Sequence, residues 1–346
     1  LRLHDLTGFD GRCDAILLTT DGSMVAPDDA ISQDAFRSGI NGISLEARDA
    51  GEYDMVVVGA GVAGMSAAVA AARLGLRVAL IGDRPVAGGN NSSEVRVHMG
   101  GRLGVGPYPK LGQLQQEFAP RREGNAQPAS YYEDQKKMQW LQQEHGVSLF
   151  MGVHADGVIM DGARIASITA RNVLSGERLR FRAQLFADCT GDATIGYLAG
   201  ADWRMGRESR SEYGESRAPE RADSMTMGAS VQWYAAASKG RERFPLFEYG
   251  VVLNDSTAER VLKGEWTWET GMNRNQITEA ERIRDYGLIV VYSNWSYLKN
   301  RLPERRDYAN YRLDWVAYVA GKRESRRLLG DYVLKEDDLV RHMTHE

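Results

Sequence analysis

The sequence predicts an α/β fold built on a buried parallel sheet, and three observations carry that prediction. Tyr53-Asp54-Met55-Val56-Val57-Val58 is a largely apolar run of strand length, a glycine-rich turn follows it, and residues 62–74 form an alanine-rich segment of helix length. A second strand-length run, Arg77-Val78-Ala79-Leu80-Ile81, comes directly after. Strand, turn, helix and strand in that order make a βαβ unit, whose crossover lays the strands parallel and covers both faces.

The elements follow in chain order. Residues 1–50 hold too few apolar side chains to bury a core of their own. Ala15-Ile16-Leu17-Leu18-Thr19-Thr20 reads as a strand, Gly8, Gly11, Gly22, Pro27 and Asp28-Asp29 as turns, and residues 38–51 as a linker. This region is either an arm packed on the next domain or the tail of another module. Gly75 stands where the first helix needs a left-handed cap. Residues 88–128 are rich in glycine and proline and show little periodicity, and residues 132–145 read as a helix. Runs at 148–153, 157–160, 165–172 and 178–184 read as a meander of short strands, with tight turns at Asp161-Gly162 and Ser175-Gly176. The meander delivers the chain to a further buried strand, Leu185-Phe186-Ala187-Asp188. Residues 204–221 alternate Arg with Glu and read as a solvated segment. Apolar residues Ile277, Ala280, Ile283, Leu288, Val291, Trp295 and Leu298 recur at helical spacing and predict a helix over 277–299.

Composition bounds the function. A chain of 346 residues suggests about two domains. Hydrophobic residues at 43% and charged residues at 26% exclude a wholly disordered chain, and a net charge of -4 gives no reason to expect nucleic acid. Two cysteines, Cys13 and Cys189, exclude a disulfide scaffold, a cysteine zinc site and a chain-encoded iron–sulfur cluster, which takes about four thiolates. Residues 55–72 are 18 uncharged residues, but three glycines interrupt them, and no membrane span is expected. The chain lacks H-E-x-x-H, the phosphate-binding P-loop pattern and G-x-S-x-G, so hydrolase and kinase readings have no support.

Gly59-Ala60-Gly61-Val62-Ala63-Gly64 is G-x-G-x-x-G between a strand and a helix, the context that the motif requires of a dinucleotide site. Gly59 permits the tight turn, Gly61 lets a pyrophosphate approach the backbone, and Gly64 lets the helix lie close to the sheet. The helix N-terminus then offers unpaired N–H groups to the phosphates. The motif alone does not separate FAD from NAD. An acid that binds the ribose commonly stands 23 residues after the first glycine, which here is Gly82, with Asp83 one position later. Either Asp83 does this work, or the backbone and Arg84 replace it. Two segments favour a flavin: Gly88-Gly89-Asn90-Asn91-Ser92-Ser93, with Gly100-Gly101 behind it, and Ala187-Asp188-Cys189-Thr190-Gly191-Asp192. The first supplies small residues able to pass under a planar ring system.

The second segment resembles the Ala-Thr-Gly return strand of flavoproteins with two dinucleotide domains, with Cys189 in the alanine place. The chain as a whole resembles the FAD-dependent oxidoreductase family that includes flavin modules of the heterodisulfide reductase A subunit type. The similarity runs through residues 53–64, 78–101, 186–201, 264–300 and 315–338, including Gly321-Lys322-Arg323-Glu324-Ser325-Arg326-Arg327 and Gly330-Asp331-Tyr332. It implies a Rossmann-like FAD-binding domain of the glutathione-reductase type with an interleaved α+β substrate domain. Residues 1–25 are similar to the end of a β-sandwich module. The implied division is 1–50 as a remnant of that module plus linker, 51–203 as the FAD domain with its meander, and 204–346 as the substrate domain with an incomplete return. A fragment truncated at both ends is the expectation.

The resemblance further implies cofactor roles. Gly59, Gly61 and Gly64 would hold the pyrophosphate, with Asp83 and Arg84 near the adenosine ribose. Gly89, Asn91 and Ser92 would line the path to the isoalloxazine, Val153 and its neighbour His154 would meet adenine through the backbone, and Thr190, Gly191 and Asp192 would close over the cofactor. His98 is the candidate base, and Arg323 and Arg326 are candidates to clamp an anionic substrate or the flavin's negative charge. Trp266, Trp268 and Trp295 are candidates to stack on a sugar. The expected activity is hydride transfer between a small organic substrate, a carbohydrate or polyol, and flavin N5, with an unidentified electron acceptor. The alternatives are a carbohydrate-associated binding protein with a non-catalytic flavin fold and a nicotinamide-dependent dehydrogenase.

Overall fold

The computed structural model of the chain describes residues 16–101, 104, 106, 109–266 and 268–343. The readings at residues 1–15, including Cys13 and the turns at Gly8 and Gly11, lie outside the described residues.

A helix, α1 (Ala30–Asn41), precedes β1 (Arg48–Val58), α2 (Val62–Arg73) and β2 (Val78–Gly82). After α3 (Gln113–Phe118) and α4 (Asp134–Gln142) come β3 (Val147–Met151), β4 (Val153–Asp161), β5 (Arg164–Asn172) and β6 (Arg178–Asp188). These strands form one sheet in the order β3-β2-β1-β6-β5-β4. The four strands β3, β2, β1 and β6 run parallel, and β5 and β4 continue antiparallel from β6. The fold class is therefore α/β with a parallel-dominated sheet.

Alternation along the strands explains why their sequences carry no polar face. Val57, Val78 and Leu80 point to one side, where Met65, Ala68 and Val69 of α2 and Trp140 and Leu141 of α4 cover them. Val56, Val58, Ala79 and Ile81 point to the other, where the meander folds back with Val153, Ala155, Ile168, Ala170 and Phe181. Both faces are thus buried.

Several local expectations change. Residues 16–20 hold no strand. The linker read over 38–51 is instead the end of α1, with Gly42 at φ 64° as its left-handed cap, and the start of β1. Asp29 caps α1 by accepting from the Ser32 N–H, a local signal that the linker reading overlooked. Asp34 on α1 accepts from Arg171 and Arg178, so this helix is held against the meander. Leu185–Asp188 is no separate strand but the end of the 11-residue β6. Most of the run at 148–153 is β3, which joins the parallel part of the sheet by pairing with β2, and Val153 already opens β4. The helix read over 132–145 is shorter, Asp134–Gln142, and α3 interrupts the loop read over 88–128. Gly75 caps as expected, at φ 93°.

The second half continues with α5 (Thr194–Leu198), β7 (Trp203–Arg204), α6 (Arg210–Tyr213), β8 (Ala229–Ser230), β9 (Trp233–Ala237) and β10 (Lys263–Gly264). It ends with α7 (Ala280–Asn300), β11 (Tyr311–Val316), β12 (Gly321–Lys322), β13 (Arg327–Leu328) and α8 (Glu336–Val340). Its core sets Val291, Trp295 and Leu298 of α7 against Trp233 of β9 and Ala317. Trp295 has no exposed surface, so it packs the core and offers no stacking face. The segment read as solvated contains α6, and Arg207 pairs with Asp223 across it. Two short antiparallel pairings, β12 with β8 and β13 with β7, bring the end of the chain back against the segments that follow β6. No described helix is long and apolar enough to cross a membrane.

Candidate functional site

The turns that leave the C-terminal ends of β1, β2 and β6 converge on a cavity of about 1050 Å³. That is the upper end of the range of ligand clefts, about 300–1,000 Å³. Residues 59–62, 82–84, 88–91, 97–100 and 189–192 line one side of it. Gln276, Ile283 and Arg284 from the approach to and start of α7, and residues 318–320 and 322–324, line the other.

The glycine turn has the geometry its sequence requires. Gly59 sits at φ 106°, and a Cβ there would fall 2.2 Å from the Cys189 carbonyl oxygen. A Cβ on Gly64 would fall 1.8 Å from the Gly59 oxygen, so α2 can lie this close to the turn only without one. Gly61 differs. A Cβ there would meet nothing nearer than Gly89 Cα at 3.9 Å, so the space above it belongs to the cavity. No side chain among the described residues caps α2, which leaves the N–H groups of its first turn and its positive dipole end at that wall.

A second turn stacks on the first. The Gly88 N–H donates to the Ala60 carbonyl at 2.8 Å, and a Cβ on Gly89 would fall 3.1 Å from Gly61 Cα. Gly89 and Asn91 line the cavity, whereas Ser92 lies behind it and donates its hydroxyl to the Gly89 carbonyl at 2.7 Å. The Asn91 side-chain nitrogen donates to the Val97 carbonyl at 2.8 Å, while its buried Oδ1 has no partner among the described residues. Lys137, wholly buried, donates to the Asn91 carbonyl at 2.6 Å and fixes the turn from below.

Past β2, Asp83 and His154 are both exposed at the cavity rim, 4.0 Å apart. Arg84 also lines the rim and lies 3.5 Å from Glu94, whose carboxyl burial pushes upward. Gly82 explains why no acid stands there: a Cβ would fall 2.7 Å from the Ala60 Cβ. Val153 is buried in the second core and lies outside the lining, so its side chain is a packing residue.

In the return segment, Asp188 accepts from the Thr190 hydroxyl at 2.7 Å and from the Ile195 and Gly196 N–H groups. Thr190, Gly191 and Asp192 line the cavity. The Asp192 carboxylate accepts from Lys322 and from the buried Ser325 hydroxyl, which ties the return segment to the C-terminal signature. Sequence reading found Lys322 and Ser325 only as members of a signature, because their partner is 130 and 133 positions away. Arg323 lines the cavity but pairs with Glu269 and lies over the Trp266 ring. Arg326 lies outside the lining: its guanidinium covers the Tyr197 ring at 3.9 Å and donates to the Asp192 carbonyl at 3.0 Å. Cys189 lines the cavity, and burial pushes its thiol upward, toward the unreactive neutral form.

His98 lines the cavity as expected. Its ring Nδ1 lies 2.9 Å from Asn125 Oδ1, and its backbone N–H donates to the same oxygen at 3.0 Å. Asn125, missed at the sequence level, carries no local signal, since 27 residues separate it from His98.

Comparison with known proteins identifies the class. Residues 54–346 match the sequence profile of a family described as FAD dependent oxidoreductase. The chain belongs to that family. Its cofactor is FAD, and the glycine turn, the open space above Gly61 and the uncapped α2 fit the pyrophosphate of that cofactor. No curated protein matches the chain. Among solved structures, the myxobacterial FAD-dependent halogenase CndH is 17% identical, with a TM-score of 0.33, over 56% of this chain and 45% of its own. The flavin-dependent monooxygenase PieE is 14% identical, with a TM-score of 0.34, over 55% of this chain and 36% of its own. THI4 of Thermovibrio ammonificans is 20% identical, with a TM-score of 0.34, over 54% of this chain and 80% of its own. The chain therefore spans less than half the length of the halogenase and the monooxygenase.

Proposed function

We propose that this member of the FAD-dependent oxidoreductase family oxidises the carbon–oxygen bond of a small alcohol, with a polyol or sugar as the favoured class. One observation supports the reading above others: the cavity joins a dinucleotide cradle at Gly59–Gly61 to a wall that carries His98. Bound FAD supplies the two-electron acceptor for a substrate hydride.

The chain's own residues would do the rest. Gly59, Gly61, Gly89 and the N-terminus of α2 receive the pyrophosphate, and Asp83, Arg84 and His154 receive the adenosine end. Thr190, Gly191 and Asp192 close over the cofactor from the β6 end of the same wall. His98 Nε2 takes the hydroxyl proton: the O–H bond breaks, an N–H bond forms, and the C–H pair leaves as hydride to give a carbonyl product. An unprotonated ring nitrogen within hydrogen-bond reach of the hydroxyl is what that task requires. Arg323 and Arg284 on the far wall would orient an electron-rich substrate. Arg326 is kept from substrate by Tyr197, and its role is to hold the Asp192 backbone.

The test is direct. Purified protein should show flavin absorbance, either as isolated or after reconstitution with FAD, and an anaerobic panel of sugars and polyols should bleach it. Protein that stays colourless after reconstitution overturns the cofactor assignment. Flavin that no alcohol reduces overturns the enzyme reading and favours a binding protein, and reduction by NADH alone favours a nicotinamide substrate.

A further inference from the structure

Two donors that meet on one oxygen reveal the state of His98. A backbone N–H can only donate, so the Asn125 atom 3.0 Å from the His98 N–H must be the amide oxygen. That fixes the amide orientation, which is otherwise ambiguous. His98 Nδ1 lies 2.9 Å from the same oxygen, which has no hydrogen to give, so Nδ1 must carry the proton. In neutral His98 the other nitrogen, Nε2, is then bare. The Asn125 amide nitrogen in turn faces Glu265 Oε2 at 3.4 Å, and Glu265 is ion-paired with Lys263. That contact agrees with the amide orientation set by the backbone.

The surroundings hold this arrangement firmly. Asn125 is buried, and the neighbouring Ala126 and Arg96 both adopt positive φ, at 48° and 68°. Non-glycine residues persist in that region only where packing overdetermines them. Here the Ala126 N–H donates to the wholly buried Gln232 at 2.9 Å, and the Tyr132 hydroxyl donates to the Arg96 carbonyl at 2.6 Å and faces the Gly124 carbonyl. The Arg96 guanidinium lies 3.7 Å from the Trp315 ring centroid and donates to the Gln127 carbonyl. The loop that carries Asn125 is therefore clamped to both halves of the molecule.

We infer that Asn125 is a positioning residue that holds His98 as the Nδ1–H tautomer, with Nε2 left as a proton acceptor at the cavity. The inference rests on the proposed role of His98 for its purpose, but not for its geometry. A free histidine side chain in water favours the opposite tautomer, so the preference is imposed by Asn125.

Nitrogen-15 NMR of the full chain with labelled histidine tests this, with the His98 signals among six histidines assigned from His98→Gln. The expected spectrum has a protonated Nδ1 and a bare Nε2. Asn125→Ala should lose that signature in favour of the Nε2–H form, and Asn125→Asp, which keeps an acceptor oxygen, should restore it. A wild-type His98 with bare Nδ1, or an Asn125→Ala spectrum unchanged from wild type, overturns the inference. If Asn125→Ala does not fold, the wild-type spectrum still decides. The spectrum is read without substrate or turnover, so it separates from the proposed function. Should the tautomer be as expected while FAD-loaded His98→Gln reduces its flavin at the wild-type rate, the base assignment fails and the positioning role stands.

Discussion

Lys322 donates to both carboxylate oxygens of Asp192, across 130 positions of sequence. The pair joins the return segment after β6 to the signature that opens on β12, and Ser325 adds a third hydrogen bond to the same carboxylate. Both side chains are mostly shielded, at 27% and 22% exposure, so removing one charge strands the other in a poor solvent. Lys322→Met should cost about 2 kcal/mol, between the values for exposed and fully buried pairs. Lys322→Met with Asp192→Asn should recover part of that loss, because no lone charge remains. Urea unfolding of the two variants checks the direction. A double variant less stable than Lys322→Met would show that the pair acts through some other contact.

Gly61 and Gly64 occupy the same motif, yet their substitutions should fail in different ways. A Cβ on Gly61 enters the cavity, and one on Gly64 strikes the Gly59 oxygen at 1.8 Å. Gly61→Val should fold with near wild-type stability and lose FAD by a hundredfold or more in affinity, since the side chain takes the place of the phosphates. Gly64→Ala should lose several kcal/mol of stability, as overpacking against backbone does when nothing can yield. Thermal melts beside FAD titration distinguish them. Normal flavin uptake by Gly61→Val would refute the pyrophosphate position.

What the sequence made legible follows from how local the signals are. The βαβ unit was readable because its strands are buried on both faces and its glycines fall at fixed spacing in one local motif, even though the atoms that exclude a Cβ at Gly59 belong to Cys189. Gly59, Gly61, Gly89, Asn91, Thr190 and Asp192 line the cavity for that reason. The linker reading over 38–51 failed because α1 draws its order from Asp34 meeting Arg171 and Arg178, more than 130 positions on. Asn125, Lys322 and Ser325 were out of reach on the same ground. Each owes its place to a partner supplied by the folded chain, and their own neighbours in sequence say nothing of it. Trp295 shows the converse, since helical spacing already favoured the core position that it occupies.

The missing ribose acid has a steric cause that can be reversed. An aspartate at Gly82 would press its Cβ to 2.7 Å from the Ala60 Cβ and to 3.2 Å from the Met151 methyl. Gly82→Asp alone should cost about 1–3 kcal/mol, the usual range for overpacking. Adding Ala60→Gly removes the nearer of the two contacts and should return most of the stability, while Met151 can adjust its flexible end. Thermal unfolding of the single and double variants reads this out. Equal losses in both would show that Ala60 is not the obstacle.

Lys137 makes the cavity floor sensitive to alkaline pH, and the sign can be worked out. The side chain has no exposed surface, its ammonium donates to the Asn91 carbonyl at 2.6 Å, and Asp134 lies 3.7 Å away. Burial pulls its pKa down to about 8, and Asp134 offsets only part of that. In the unfolded chain a lysine titrates at about 10.4. Between those values the unfolded state holds a proton that the fold releases, so stability should rise with pH across the window. Below about 8 both states are charged and the penalty is full, and above about 10.4 both are neutral and it is gone. A gap of this size corresponds to a gain of at most about 3 kcal/mol. Lys137→Met abolishes the titration but strands the Asn91 and Tyr132 carbonyls that the amine now serves, so it should be less stable at every pH. Its deficit against wild type should widen as pH rises from about 8 to 10, by up to the same 3 kcal/mol. Chemical denaturation of both proteins at several pH values measures that difference while cancelling the titration of other groups. A deficit constant across the window would mean that Lys137 keeps its ordinary pKa despite its burial. The floor beneath Gly88 and Asn91 would then be charged throughout.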